Sequence, residues 1–473
     1  MQHETKHKTV QRIMDFPHDF TIRTKQWLGD EYALLEKALQ EVSPISIRLN
    51  PFKQMVQTVE YERVKWCKTG YYLHERPFFT FDPLFHAGCY YVQEASSMFL
   101  EQAVSQHIST PVICLDLCAS PGGKSTHLLN LLPDNSLLVS NEVIHHRASV
   151  LRENLIKWGS PFNVVTCNTP QEIGKLTHLF DVIVADLPCS GEGMFRKDRN
   201  SRNEWSIANI RLCAARQRRI IHDVWESLKP GGLLVYSTCT FNREENEENI
   251  RHLIKHLNAE VIPVSVDADW NISQAIDESF PVYRFYPHKI KGEGFCLTLL
   301  KKPDGKRKTI QVKNAQLKNP SHPLREADKR MSYIREMLDH ENRFHIVIDK
   351  NIQAIPSSHH TTCQLLSHYL CVLSACIWVG DIKGNDFIPS PALALNSCFR
   401  NDVFPSIELT LEESIRYLQK EALVLPSAVP NGYVVVKYNN SPLGFVKNIG
   451  NRANNLFPHE WRIRKRLTDV NFG

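Results

Sequence analysis

From Val112 to Leu257 the chain alternates short apolar runs with stretches long enough for helices, and that alternation leaves few folds open. Val112–Leu117, Leu137–Glu142, Asn163–Cys167, Asp181–Asp186 and Leu233–Tyr236 read as strands. Between them the spacing predicts helices from the Pro121-Gly122-Gly123 loop through Leu132, over Arg147–Trp158, over Ser206–Leu228 and over Glu244–Leu257. The third of these meets Lys229-Pro-Gly-Gly232, a Pro/Gly stop. Strands interleaved with helices in this way predict a parallel sheet covered by helices on both faces. In such a sheet, ligands occupy the crevice outside the carboxyl ends of the strands. The residues just beyond each apolar run therefore carry the functional information.

Two runs deliver a cysteine at that place. Phe180-Asp-Val-Ile-Val-Ala-Asp-Leu-Pro-Cys189 ends one strand, and Tyr236-Ser-Thr-Cys239 ends its neighbour. Pro188 fixes φ and turns the chain, so Asp186 and Cys189 sit on a rigid corner. Two cysteines and one carboxylate are thereby expected to share a pocket. A third strand end carries Asp116-Leu-Cys-Ala-Ser-Pro-Gly-Gly-Lys124, whose glycines admit a ligand close to the backbone. About twenty residues on, Glu142 stands where a ribose diol is usually gripped. The loop is neither G-x-G-x-x-G nor a P-loop, which disfavours NAD and ATP and favours an adenosyl ligand without a phosphate.

At 473 residues the chain calls for about three domains. Asp19–Leu39 reads as a helix, Ser46–Asn50 as a strand and residues 57–92 as a small sheet. Tyr91–Met98 is expected to begin the helix that leads into the alternating region. Lys301–Lys318 is lysine-rich and reads as a linker. The last part, split near residue 408, contains Gly432–Tyr438, a hairpin-like Asn439-Asn440 and a basic end at Trp461–Arg466. No apolar run approaches the ~20 residues needed to span a bilayer, and the charged start lacks a secretion signal, so a cytoplasmic protein is expected. The net charge of +5 permits a polyanionic partner without demanding one. The 13 cysteines, odd in number and without a CxxC pair, predict reduced thiols and no metal site.

Together these residues resemble the 5-methylcytosine RNA methyltransferases of the NOL/NOP/Sun family, which use S-adenosylmethionine. The match runs through Asp116–Lys124, Asn141-Glu142, Asp186–Gly191 and Ser237–Thr240. It takes in Arg284–His288, Gly292–Phe295 and Tyr91–Ser97, so that it covers residues 46–300. Glu192–Lys197, Glu204-Trp-Ser and the C-terminal extension are similar to the bacterial RsmF-type subgroup, which modifies 16S ribosomal RNA.

The resemblance implies a Rossmann-like S-adenosylmethionine-dependent methyltransferase sheet over residues 106–303 of an α/β protein. A small α+β N-terminal RNA-binding domain (1–105) would precede it. A basic linker (304–332), an RsmF-type intermediate domain (333–407) and a PUA-like RNA-binding domain (408–473) would follow. It makes Cys239 the nucleophile, Cys189 the residue that helps resolve the adduct, Asp186 the partner of the cytosine edge and Lys124 the group that orients Asp186. The cofactor would be held by Cys118, Ala119, Ser120, Pro121, Gly122, Gly123 and Lys124, with Glu142 on the ribose, Arg147 beside it and Asp186 bordering the site. One departure stands out. Thr169 occupies the place of the family's adenine-side aspartate, so that either Asn168 covers that contact or the cofactor binds more weakly. Arg48 and Asn50 match a family pattern and are expected at RNA, as are Arg462, Arg464 and Lys465; a solvated basic surface is the competing reading of both groups.

The chemistry supports this assignment by itself. C5 of cytosine is a poor nucleophile, and thiolate addition at C6 converts it to an enamine, after which a base must remove the C5 proton. Exocyclic-amine methylation uses an Asn/Asp-Pro-Pro-aromatic corner, whereas here Pro188 precedes Cys189. DNA cytosine methyltransferases use the Pro-Cys cysteine as nucleophile, so the second cysteine points to RNA. Transfer RNA as substrate, and a non-catalytic ribosome assembly factor, remain as alternatives. A monomer without a metal, acting on 16S ribosomal RNA, is the expectation.

Overall fold

The computed structural model describes residues 16–53, 61–306, 329–338, 343–348, 351–384 and 386–465. Residues 1–12 and most of the lysine-rich linker lie outside these.

The alternating region builds one large sheet. In spatial order its strands are Tyr283–Phe285, Phe295–Lys301, Leu228–Thr238, Phe180–Asp186, Ile113–Asp116, Leu137–Asn141, Asn163–Thr166 and Val372–Ala375. A ninth, Glu260–Ile262, pairs with Phe295–Lys301. The five from Leu228–Thr238 to Asn163–Thr166 are parallel, as their apolar, β-branched composition requires when both faces are covered. One face packs on Gly123–Leu131 and His145–Trp158, the other on Ile207–Val224 and Glu247–Leu257. Chain order reverses between Ile113–Asp116 and Phe180–Asp186, so the topological switch point lies where the glycine loop meets the Asp186 corner.

Three local expectations need correction. Asp19–Leu39 is two helices, His18–Leu28 and Glu31–Ala38, because Gly29 turns at φ +54°. The Ser206–Leu228 helix ends at Val224, followed by a single 3₁₀ turn. Lys229-Pro-Gly-Gly232 then belongs to the strand Leu228–Thr238, where Gly231 (φ +76°) and a register shift opposite Phe180–Val182 absorb the proline. The segment from Tyr91 is a strand end and a 3₁₀ turn before its helix starts at Leu100.

The N-terminal residues form the sheet Gly70–Leu73, Ile45–Leu49, Tyr90–Val92. The C-terminal residues form Ser406–Glu408, Gly432–Tyr438, Ser441–Asn448, Ala453–Asn455, with Asn439 and Asn440 both at positive φ in the hairpin turn. These two sheets share a hydrophobic core: Ile47, Ala87 and Tyr90 lie with Ile415, Tyr417, Leu443 and Val446. The intermediate region has its own four-stranded sheet but is not separate. Its Val372–Ala375 segment pairs antiparallel with Asn163–Thr166 and lengthens the catalytic sheet.

Arg48 and Asn50, expected at RNA, are buried instead. Arg48 donates from Nε to Gln93 (2.8 Å) and from Nη2 to Thr126 Oγ1 (2.6 Å) and the Gly123 carbonyl (3.3 Å), with Trp158 stacked 4.6 Å away. Asn50 donates to the carbonyls of Gly88 and Trp158. Both therefore fasten the N-terminal sheet to the helices behind the glycine loop. We expect Arg48→Ala to destabilise the fold by about 3 kcal/mol or more, since it strands buried acceptors and opens a cavity. Urea unfolding measures this; a loss confined to RNA affinity, with stability intact, would restore the RNA role.

Candidate active site

Each side chain of the site is delivered by a strand end, and the parallel register sets them side by side. Asp186 pairs with Ser237 across adjacent strands, so the two corners that follow, Leu187–Cys189 and Thr238–Cys239, leave the sheet together. The sulfurs of Cys189 and Cys239 lie 3.1 Å apart, both half-buried and both free thiols. That is hydrogen-bonding distance and too long for a disulfide. The hydrogen bond to Cys239 and then burial hold the Cys189 thiol well above the usual range.

Asp186 closes the other side. Lys124 Nζ donates to its Oδ2 at 2.8 Å and Ser237 Oγ to its Oδ1 at 2.9 Å. Burial alone would pull the Lys124 ammonium down, yet Asp186 beside it, helped by Asp116 and Cys239, keeps it above the ordinary lysine value. Cys239, Cys189, Asp186 and Lys124 thus form one cluster, as the sequence led us to expect.

The glycine loop borders a cleft of about 500 Å³ next to this cluster. Residues Cys118 to Pro121, Gly123, Lys124 and Asp186 line one side, and Tyr91, Gln93, Glu94 and Ser97 the other. The second wall was missed as a site element; only its place in the family match hinted at it. Gly122 adopts φ +117°, and a Cβ on Gly123 would stand 3.4 Å from the Tyr91 ring, so both glycines suit a loop that must stay open. Glu142 is buried; its Oε1 accepts the Ile144 N–H and its Oε2 lies 3.4 Å from Arg147, which also reaches the Ser120 carbonyl.

Asn168 is placed differently from expectation. Its amide donates to Glu172 and its oxygen accepts the Cys371 N–H, while Thr169 caps the helix Pro170–Gly174. The segment before Val372 and the helix cap engage both polar side chains, and neither residue lines the cleft beside the glycine loop. Arg462 and Arg464 are exposed on the C-terminal sheet domain with Lys465, and Arg462 meets His459; Arg466 lies outside the described residues. One further cluster joins three distant segments: Cys67, Glu101 and His127 are buried together, with His127 Nε2 3.7 Å from the Cys67 sulfur and 3.2 Å from Glu101. Sequence spacing could not reveal it, since no two of these residues are near in the chain.

Two buried acids flank the site. Burial lifts Asp116 to about 7 against a hydrogen bond from Ser125, and lifts Glu245 to about 7 against Ser190, Asn242 and Gln217. Both values exceed the ordinary ones of 3.8 and 4.5, so the folded state binds these protons more tightly than the unfolded chain. Their contribution to stability is full at low pH and is lost as pH rises towards 7, at up to about 1.4 kcal/mol per pH unit per group. His86 and His127, lowered by burial to about 3 and 4, act in the opposite sense below pH 6.5. The prediction is therefore a difference: the stability of the native protein relative to Asp116→Asn should fall between pH 5 and 8. Parallel unfolding curves at each pH test it, and a pH-independent difference would contradict the raised acid.

Comparison with known proteins places this site. The family model described as 16S rRNA methyltransferase RsmB/F matches residues 106–301. Models for the N-terminal domain of 16S rRNA methyltransferase RsmF and for the methyltransferase RsmF PUA domain match residues 16–95 and 404–463. Ribosomal RNA small subunit methyltransferase F of Cronobacter sakazakii is 30% identical over 444 residues, 89% of this chain and 86% of that protein. Its counterpart in Aliivibrio fischeri is 29% identical over 440 residues, 88% and 90% of the two chains. Among solved structures, a methyltransferase homolog protein from Pyrococcus horikoshii shares 28% identity at TM-score 0.52, over 61% of this chain and 95% of that one. NSun6 from the same organism, solved with SFG, shares the fold at 21% identity and TM-score 0.53, over 61% of this chain and 99% of that one. With its central, N-terminal and C-terminal regions all matched, the chain belongs to the ribosomal RNA small subunit methyltransferase F family.

Proposed function

We propose that the protein methylates C5 of a cytosine in 16S ribosomal RNA, using S-adenosylmethionine and a transient bond between Cys239 and C6. The observation that carries this reading is the pair of sulfurs 3.1 Å apart beside a carboxylate fixed by Lys124 and Ser237. Single-cysteine and exocyclic-amine mechanisms have no use for the pair.

The residues fit the cofactor. The Cys118–Lys124 loop leaves its backbone open to a ligand, Glu142 offers a carboxylate at the end of the neighbouring strand, and Asp116 has a buried Oδ1 without a hydrogen-bond partner among the described residues. When bound, S-adenosylmethionine supplies a methyl group made electrophilic by its sulfonium. The chain's own groups do the rest. Asp186, braced by Lys124, hydrogen-bonds the N3/N4 edge and orients the ring. The Cys239 thiolate adds at C6, which places electron density on C5 for attack on the methyl group. Cys189 then removes the C5 proton, C5=C6 re-forms and Cys239 leaves as thiolate. The target base must be unstacked to enter the cleft. Arg462, Arg464 and Lys465 offer contacts to phosphates.

The test incubates the protein with methyl-labelled S-adenosylmethionine and 30S subunits, naked 16S RNA or bulk transfer RNA, followed by nucleoside identification. We expect labelled 5-methylcytidine from the ribosomal samples only. Label at another nucleoside overturns the C5 chemistry; label in transfer RNA alone overturns the substrate.

A further inference from the structure

Behind the two cysteines, Glu245 is fully buried and grips the corner that carries Cys189. Its carboxylate accepts the Ser190 N–H at 3.1 and 3.3 Å, Asn242 Nδ2 at 2.8 Å and Gln217 Nε2 at 2.7 Å. Gln217 Nε2 also donates to the Pro188 carbonyl at 3.0 Å. The backbone groups on both sides of Cys189 are therefore held by one carboxylate and one amide. Asn242 reaches on to Ser190 Oγ and Thr240 Oγ1, and those two hydroxyls lie 3.0 Å apart, so the same group links the Cys189 corner to the residue after Cys239.

We propose that Glu245 is the positioning residue for adduct resolution: as a carboxylate it holds Pro188–Ser190 so that Cys189 faces C5 once Cys239 has bonded to C6. The inference rests on the role given to Cys189 above. Three features support it. First, every side-chain and backbone group that meets the carboxylate oxygens is an N–H donor, which suits an ionised acid and leaves a protonated one with a hydrogen and no acceptor. Second, it forms no ion pair among the described residues. Its charged neighbour is Glu192, and burial with that carboxylate lifts Glu245 to about 7, so the charged form is held at a cost to stability near neutral pH. Perturbed buried acids of this kind gather at functional sites. Third, the rest of the machinery is held by other means. Asp186 is fixed by Lys124 and Ser237, and Cys239 by the Gly193 N–H on its carbonyl. Loss of Glu245 therefore acts on Cys189 and spares the methyl-transfer step.

The resolving step balances without another reagent. The Cys189 thiol, protonated at rest, first gives up its proton to solvent. Its thiolate then takes the C5 proton, the C5–H electron pair becomes the C5=C6 bond, and the C6–S bond breaks to return the Cys239 thiolate, so that one proton leaves for each methyl group gained.

The experiment compares native protein, Glu245→Gln and Cys189→Ala on the same 16S substrate. A single-turnover assay follows methyl transfer, and a denaturing gel follows the protein–RNA adduct. For Glu245→Gln we expect single-turnover transfer within about threefold of native, steady-state turnover down by about tenfold or more, and adduct accumulation. Native adduct decay should rise with pH through about 7, and Glu245→Gln should lose that inflection and keep only the rise at higher pH that the Cys189 thiol imposes. Gln217→Ala, which frees Pro188 from the same group, should shift the balance in the same direction and serves if Glu245→Gln does not fold. Adduct accumulation in Cys189→Ala with native resolution in Glu245→Gln or Gln217→Ala overturns the positioning role. Clean turnover by Cys189→Ala overturns the underlying reading instead. Equal losses in transfer and resolution reduce Glu245 to a structural residue and also overturn the proposal.

Discussion

Cys239→Ala should abolish methyl transfer to RNA while leaving binding of S-adenosylmethionine intact. Without thiolate addition at C6, C5 keeps its poor nucleophilicity, and we expect a loss of at least about 10⁴-fold, roughly 5.5 kcal/mol of transition-state stabilisation. The substitution removes one half-buried sulfur at the end of a strand held by six pairings to its neighbour, so the fold should survive it. The cleft beside it is lined from the glycine loop, Asp186 and the Tyr91–Ser97 segment, and Cys239 is not part of that lining. Equilibrium binding and single-turnover transfer, measured on one preparation, decide the matter. Transfer near the native rate would remove Cys239 from the nucleophile's role, and a parallel loss of cofactor binding would make the effect structural.

The complementary replacement, Cys189→Ala, should leave the first half of the reaction and stop the second. The expected sign is a slow-migrating protein–RNA band on a denaturing gel that forms only with cofactor present and carries the transferred methyl label. Steady-state turnover should fall by about 10²-fold or more, because each protein is trapped after one methyl group. The 3.1 Å gap between the sulfurs makes this a strong test, since position alone does not tell the two thiols apart. If the corner cysteine were the nucleophile, as in DNA cytosine methyltransferases, the two results would be exchanged: the band would appear with Cys239→Ala. Clean turnover without a band would leave Cys189 without a catalytic part.

The N-terminal sheet has acquired a different task from the one its sequence suggested. Arg48 joins Gln93, Thr126 and Gly123 in a single buried hydrogen-bonded group, while the Tyr91–Ser97 segment forms a wall of the cleft beside the glycine loop. The C-terminal sheet shares a core with it, so trimming residues 408–473 would uncover Ile47, Ala87 and Tyr90. Charge-neutralising substitutions at Arg462, Arg464 and Lys465 therefore probe RNA contacts more cleanly than truncation does.

The sequence by itself determined the parallel sheet, because the apolar runs and their helices repeat with periods that only a doubly covered sheet satisfies. It also determined the meeting of Asp186, Cys189 and Cys239, since residues just past adjacent parallel strands must emerge at one edge. The glycine loop and the Asn439-Asn440 turn were legible for the same reason: each depends on backbone conformation encoded within a few residues. What only the tertiary structure decided is where long polar side chains go. An arginine on a strand looks the same whether it meets solvent, RNA or, as Arg48 does, a buried ring and a carbonyl. Asn168 is engaged by a segment some two hundred residues downstream, where Cys371, just before the strand Val372–Ala375, donates its N–H to the amide oxygen. Glu245 reads as one acid in a Glu-rich helix start, and its grip on Ser190 exists only because a register between two strands brings both corners together. Periodicity is a local property of the chain, whereas burial and hydrogen-bond partners are set by segments far apart in sequence that the fold brings into contact.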